Sequence, residues 1–255
     1  MDVLLLELPI ALWALCGFVA ILAGVIKGMV GFGMPMVLIS GLSSFVSPEL
    51  ALAGLIVPTL VTNGLQALRQ GHAAAWESVK RFRRFLVAGA ITLTLSAQFV
   101  RVLPAEALLL LIGVPVALFS LLQLLGRPVV ISNPTPKGEI FVGAVAGSIG
   151  GMSGVWGPPT VTYLTALGTE KHEQIRVQGV IYGLGAVVLF GAHIASGVFT
   201  FQTAPLSIAM VVPAVLGMWL GGRVADRIDQ KRFKQATLAV LLLASANLIR
   251  RGLMG

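Results

Sequence analysis

Long apolar runs separated by short polar connections make up almost the whole of this chain. The runs fall at roughly 8–26, 33–47, 48–68, 83–101, 105–125, 139–152, 157–168, 174–197, 204–222 and 233–250. Several match the ~20 apolar residues that a helix needs to cross a bilayer, and the length allows roughly 8–10 crossings. Three runs, 33–47, 139–152 and 157–168, are short for a crossing and are broken by Gly and Pro. Such breaks are tolerated at membrane depth where the backbone is buried in protein or lines a cavity.

The breaks repeat. GVIKGMVGFGMPMV begins at Gly24 and GSIGGMSGVWGPPTV begins at Gly147. With one residue inserted in the second, Gly24 aligns with Gly147, Ile26 with Ile149, Gly28 with Gly151 and Met29 with Met152. Gly31 then aligns with Gly154, Gly33 with Gly157 and Pro35 with Pro159. Three further apolar runs of similar length follow each segment, so the likeness extends to the layout of the halves. The spacing predicts an N-terminal repeat over 1–126, a cytoplasmic linker over 127–137 and a C-terminal repeat over 138–255.

Composition identifies the solvent. Hydrophobic residues are 56% of the chain and charged residues 11%, against about 25% charged in soluble domains. A soluble fold of this size could not hide that much apolar surface. The net charge of +8 is concentrated in two clusters between apolar runs: Lys80, Arg81, Arg83 and Arg84, then Arg223, Arg227, Lys231, Arg232 and Lys234. Without interleaved aromatic residues these read as cytoplasmic loops under the positive-inside rule, not as a nucleic-acid surface. The single cysteine, Cys16, allows no disulfide within the chain and no thiolate metal site. The start, with Asp2 and Glu7 where a basic segment would stand, does not read as a secretory signal.

The basic loops also bear on orientation. The loop at 69–84 is basic, while its counterpart at 198–203 carries no charge; the loop at 101–104 carries Arg101 alone, while its counterpart at 222–234 is basic. Basic loops at non-equivalent places imply halves lying upside down to one another, as in many secondary transporters, with both termini outside the cytoplasm. The expected fold is therefore an all-α polytopic membrane protein of two inverted repeats. Each repeat is a Gly/Pro-broken helical hairpin followed by three transmembrane helices.

The breaks are the first candidate site. Pro at the first turn of a helix is favourable because that N–H has no intrahelical partner, so new helices are expected near Gly33–Pro35 and Gly157–Pro159. A helix start presents unpaired N–H groups and the positive end of its dipole, and nearby glycines let an anion come close. Candidate substrate-binding residues are Gly31, Phe32 and Gly33 in the first half and Ser153, Gly154, Trp156 and Gly157 in the second. The other reading of the glycines is close helix packing.

Polar residues inside apolar runs add to the set. Lys27, opposite Gly150 in the repeat, either supplies charge to an anion or snorkels to the interface. Asn63, with Thr59, Thr62 and Gln66, forms a polar face at helical spacing; Gln178 and Tyr182 do so on the equivalent run. Each face either lines a cavity or hydrogen-bonds to another helix. His193 is a candidate for coupling transport to protons, or a packed neutral imidazole. Arg176 is either a charge that attracts substrate or a cytoplasmic anchor. No catalytic constellation is present: HExxH and Gly-x-Ser-x-Gly are both absent. No cofactor and no metal is expected.

AGVIKGMVGFGMPMVLISGL and VGAVAGSIGGMSGVWGPPTVTYLTALG resemble the two signature segments of the TauE/SafE family, the sulfite exporter-like transporters of bacterial inner membranes. The resemblance takes in the central basic loop and GMWLGGRVADRI near the end. It implies secondary transport of a small sulfur-containing anion such as sulfite, sulfoacetate or another organosulfonate, usually outward. Where the family usually has a further Gly, this chain has Met34 and Pro158. Expected partners are the anionic substrate and the lipid bilayer; oligomeric state is left open. The alternatives are uptake or another small anion, or a receptor or assembly subunit whose glycines only pack helices.

Overall fold

The computed structural model describes residues 9–42, 44–96, 105–127, 130–153, 156–195 and 198–254. The loop at 101–104, with its expected place opposite the basic end, lies outside them. Among the described residues there are twelve α-helices and no strand. The first half holds α1 (Ile10–Val30), α2 (Met34–Leu42), α3 (Pro48–Leu68), α4 (His72–Arg81), α5 (Arg83–Ser96) and α6 (Ala105–Leu124). The second holds α7 (Pro136–Ser153), α8 (Gly157–Ala166), α9 (Lys171–Ala195), α10 (Ala204–Ala209), α11 (Val211–Arg227) and α12 (Gln230–Met254).

Local sequence explains the boundaries. Gly31, at φ 87°, ends α1 in the left-handed conformation, its N–H donating to the Lys27 carbonyl at 2.7 Å; glycine adopts this region without a Cβ penalty. α3 starts at Pro48 behind Ser47, whose Oγ accepts from the Leu50 N–H at 3.3 Å. Asp229 opens α12 by accepting from the Arg232 N–H at 2.7 Å. α2 has 9 residues and α8 has 10, or about 14 and 15 Å of helix, half of a ~30 Å hydrocarbon core.

Among the described residues, five stretches are long and apolar enough to cross a membrane: Ile10–Val30, Leu50–Leu68, Lys171–Gly191, Ala204–Arg227 and Gln230–Met254. The outward faces are apolar too. Val87, Ile91 and Leu95 form an exposed stripe on α5, and Val212, Leu216 and Leu220 form another on α11. Such surface suits lipid rather than water.

The two halves interlock. α1 packs along α11 and α7 along α5, while α3 pairs with α9 and α6 with α12. Glycines make the first two contacts: a Cβ on Gly28 would stand 2.0 Å from the Met218 carbonyl oxygen, and one on Gly221 would stand 2.0 Å from that of Val25. Gly147 lies against Gly89 with the same closeness, 2.1 Å from its carbonyl oxygen. Small residues at such spacing let membrane helices touch backbone to backbone. The packing reading is thus right for Gly24, Gly28 and Gly147, one part of each repeated motif.

Contacts also fix the direction of each pair. Ile21 meets Gly217 and Val25 meets Gly221, so α1 and α11 run parallel; Phe85 meets Gly143 and Gly89 meets Gly147, so α5 and α7 do too. In contrast Gln66 meets Gly179 while Asn63 meets Gly183, making α3 and α9 antiparallel. α6 and α12 are also antiparallel, since Gly113 meets Ser245 and Ile249 while Gly252 meets Leu110 and Glu106.

The basic loops converge on one end of the bundle. Arg69, after α3, pairs with Asp226 of α11 at 2.6 Å, and Arg81 of α4 pairs with Glu173 of α9. Lys171 Nζ donates to the carbonyls of Ala225 and Ile228, at 3.1 and 2.5 Å. Arg176 belongs to this group, donating to Ser78 Oγ at 2.8 Å and to Gln70, which suits the anchor reading.

Candidate functional site

The two helix breaks face each other across a small cavity of about 30 Å³. Lys27, Phe32, Gly33, Thr59, Asn63 and Trp156 line it, with Gly157 and Tyr182. A buried water needs roughly 10–15 Å³ on this scale, so the space suits two or three waters or one small ion. Phe32 and Gly157 bring the breaks into contact: a Cβ on Gly157 would stand 3.6 Å from Phe32 Cδ2.

Lys27 sits on the last turn of α1, and its side chain points inward because the apolar outer face of that helix is turned to lipid. Only 2% of it is exposed. Its ammonium donates to Asn63 Oδ1. No carboxylate lies within ion-pairing distance of it among the described residues. An ammonium has three donors, so two remain for a ligand. A buried charge without a counter-charge is costly, and a bound anion removes that cost.

Further hydrogen-bonding capacity surrounds it. Asn63 Nδ2 and Thr59 Oγ1 are buried and have no hydrogen-bond partner among the described residues. Both stand on α3 one turn apart, facing Lys27. Thr62, beside them on α3, is occupied otherwise: its hydroxyl donates to the Pro58 carbonyl at 2.6 Å.

Other predicted residues hold the breaks in shape. The Gln66 amide donates to the carbonyls of Gly31, at 2.9 Å, and Ile175, at 2.6 Å. With its amide oriented to satisfy its neighbours, Gln178 donates to the same Gly31 oxygen at 2.9 Å and to that of Val30 at 3.2 Å. The Val30 and Gly31 carbonyls are left over at the end of α1, and two glutamines on the antiparallel pair α3–α9 satisfy them. Gly31 and Gln178 therefore frame the cavity from behind its wall. Tyr182 Oη donates to the Gly157 carbonyl at 3.2 Å, and its ring lies 6.4 Å from that of Trp156.

The two starts are unequal as donors. α2 begins Met34-Pro35-Met36 and α8 begins Gly157-Pro158-Pro159. Proline has no N–H, so α8 offers one donor in its first three residues where α2 offers two.

Ser153 ends α7, and its side chain and Gly154 lie outside the described residues. His193 is not at the cavity: it stands in the last turn of α9, about 16 Å along the helix from Tyr182 at 1.5 Å per residue. Thr59, Pro35, Met36 and Pro158 line the cavity too; of these, only Thr59 belongs to the polar face expected from sequence. Thr59 is four residues before Asn63 on the same polar face, a spacing that marks it as a second contact.

Apolar helices with apolar outer faces, closed around a small cavity holding a buried cation, define a multi-pass membrane protein with an internal polar site. A sequence model of the family described as Sulfite exporter TauE/SafE matches residues 16–248, and the chain belongs to that family of membrane transporters. No curated protein and no solved structure matches it.

Proposed function

We propose that the protein is a secondary transporter that exports a small sulfur-containing anion, such as sulfite, sulfoacetate or another organosulfonate, across a bacterial inner membrane. The observation that carries this reading is Lys27: a buried ammonium with spare donors, beside two unpartnered polar side chains and two helix starts. Lys27, Asn63, Thr59 and the backbone at Gly33 and Gly157 hold the oxyanion. Phe32, Trp156 and Tyr182 keep water from it, and Gly31 and Gln178 keep the first break in place. Charge-assisted hydrogen bonds in a dry site are shorter and stronger than neutral ones, which favours a compact anion with several oxygens.

Transport proceeds by alternating access between inverted repeats, 1–126 and 138–255. Equivalent helices related by an axis along the membrane normal would run parallel. Antiparallel pairing of α3 with α9 and of α6 with α12 supports an axis in the membrane plane, with the basic end in the cytoplasm. Each repeat places its first helix on the fourth crossing of the other, so rocking of one half against the other moves both breaks together.

Flux from proteoliposomes loaded with sulfite, sulfoacetate, simple sulfonates or carboxylates tests this. Sulfite or a sulfonate should leave at least ten times faster than a carboxylate of equal charge. Equal rates for all, or movement of a carboxylate alone, assign another anion; absence of flux for every anion removes the transporter reading.

A further inference from the structure

One group of buried polar side chains lies away from the anion cavity. Ser120 on α6, Thr165 on α8, Thr169 just beyond α8 and Thr237 on α12 are each at most 7% exposed. None of their hydroxyls has a hydrogen-bond partner among the described residues, a costly state for a buried polar group. Packing brings them to one place. Phe119, Ala166 and Leu238 form a single apolar cluster where α6, α8 and α12 meet, and Ser120, Thr165 and Thr237 adjoin them in the chain. The antiparallel contacts of α6 with α12 set Thr237 level with the last two turns of α6. Thr169 is tied to the start of α12, its carbonyl accepting from Gln230 Nε2 at 3.1 Å.

That place is the C-terminal end of a half-length helix. α8 starts at the anion cavity with Gly157 and ends at Ala166, ~15 Å further on. The last carbonyls of a helix form the negative end of its dipole. Those of Leu164, Thr165 and Ala166 each accept a hydrogen bond, from the N–H groups of Thr169, Gly168 and Ile131, and a carbonyl oxygen has a second lone pair to give. In contrast, Leu38 and Leu42 bring α2 to its end among Cys16, Leu55 and Leu206. Half-helix C-terminal ends hold cations in other secondary transporters. The set here contains no carboxylate: Glu170, next to Thr169, accepts from the N–H groups of His172 and Glu173 instead. Neutral oxygens alone suit a monovalent ion better than calcium or magnesium, and no group of His, Cys, Asp or Glu able to hold a metal stands among the described residues.

We propose that a sodium ion binds at the C-terminal end of α8, held by the hydroxyls of Ser120, Thr165, Thr169 and Thr237 and by the last carbonyls of that helix, and that it binds together with the anion. The joint binding rests on the anion reading of the Lys27 cavity; the cation site does not. One helix then serves both ions, the anion at its start and the sodium at its end. Opposite unit charges ~15 Å apart at an effective dielectric of about 20 tighten each other's binding roughly six-fold.

The first measurement is the melting of the purified full chain in detergent, in sodium chloride and in choline chloride of equal ionic strength. At sodium concentrations about ten times its dissociation constant, melting should rise by about 3 °C or more and then saturate. Thr237→Val and Thr165→Val each replace an unpartnered hydroxyl by a methyl group of the same shape, so in choline they should melt no lower than the parent. Both should lose the response to sodium. The second measurement is sulfite efflux from proteoliposomes. Half-saturating sulfite should be roughly six-fold lower in sodium than in choline for the parent, and the same in both salts for Thr237→Val.

Equal melting in sodium and choline overturns the proposal and leaves the hydroxyls to buried water. A sodium response that persists in both variants places the ion elsewhere and overturns it too. Sulfite affinity that ignores sodium, with the melting response intact, overturns the joint binding. Absence of any sulfite movement, with the melting response intact, fails the transporter reading and leaves the cation site standing.

Discussion

The two helix breaks are built to one pattern and do different work. In the first half the break carries the charge: Lys27 projects into the cavity and α2 starts with two free N–H groups. In the second half Gly150 stands where Lys27 stands in the first, and Trp156 fills the space a side chain would need, its ring 2.7 Å from where a Cβ on Gly150 would lie. That half starts its helix with two prolines, which leaves the Gly157 N–H as the one donor of its first three residues, and supplies aromatic wall from Trp156 and Tyr182. The two helix starts thus face each other with the cation beside one and most of the aromatic cover beside the other. A site with a cation on both sides would hold its anion twice over and release it slowly. With one cation, the proposed anion would be bound by one half and screened by the other.

Removing the cation should break this division most severely. Truncating one member of a buried charged contact costs about 2–5 kcal/mol, so Lys27→Met should lower sulfite efflux by 30-fold or more at subsaturating substrate. The same change removes a buried charge that has no carboxylate partner among the described residues, and such replacements are often neutral or stabilising. The variant should therefore melt in detergent no lower than the parent. Loss of flux together with a lower melting temperature would make Lys27 a structural residue and erase the contrast between the halves.

The glycines at the breaks separate shape from access. A Cβ on Gly31 would stand 2.1 Å from the Gln178 amide at a backbone φ of 87°, so Gly31→Ala loses the left-handed end of α1 at about 1–2 kcal/mol and loses the Gln178 bonds as well. Both melting temperature and flux should fall. Gly157 has ordinary clearance, 3.6 Å from Phe32 and 3.8 Å from Tyr182. Gly157→Leu should fold normally and block the cavity, cutting flux about tenfold or more with little change in melting. If Gly157→Leu transports like the parent, the second break is not part of the path.

Much of this is legible in the sequence, and the reasons for the rest are physical. The repeated Gly–Pro breaks and the apolar runs between them mark out the helices, because helix starts and apolar length are local properties. Lys27 and Asn63 stand out as polar residues at membrane depth, but their hydrogen bond joins residues on different helices and no spacing encodes it. Gln178 is a candidate on the same grounds as Asn63; only packing shows that one faces the cavity and the other holds the Gly31 carbonyl. The glycines look alike in sequence, yet Gly28 serves contact with α11 while Gly31 ends a helix.

Within the site, Asn63→Leu should come next. It removes one spare donor and the partner of Lys27, each hydrogen bond to a charged group contributing about 1.5–3 kcal/mol. Flux at low substrate should fall roughly ten-fold, and Asn63→Asp should fall further because it sets a carboxylate against the anion and pairs with Lys27. A carboxylate variant that transports as well as the parent would place the anion elsewhere.

The smallest effect is expected where the halves meet at the basic end. Arg69 and Asp226 are 37% and 48% exposed, and exposed pairs contribute about 0–1 kcal/mol, so Asp226→Asn should barely move melting or flux. Its value lies in position. Arg69 follows the third helix of the first half and Asp226 ends the fourth crossing of the second, non-equivalent places in the repeat that share one face only if the halves are inverted. The parent's one cysteine, Cys16, is buried, which makes side-specific labelling simple. Cysteines at Gln70 and Lys234 should react with a membrane-impermeant maleimide from the cytoplasmic side alone. A cysteine at Phe201, fully exposed between α9 and α10, should react from the opposite side. Labelling of Gln70 and Lys234 from opposite sides would mean halves of the same orientation, and the two helix starts would then have to meet by some other symmetry.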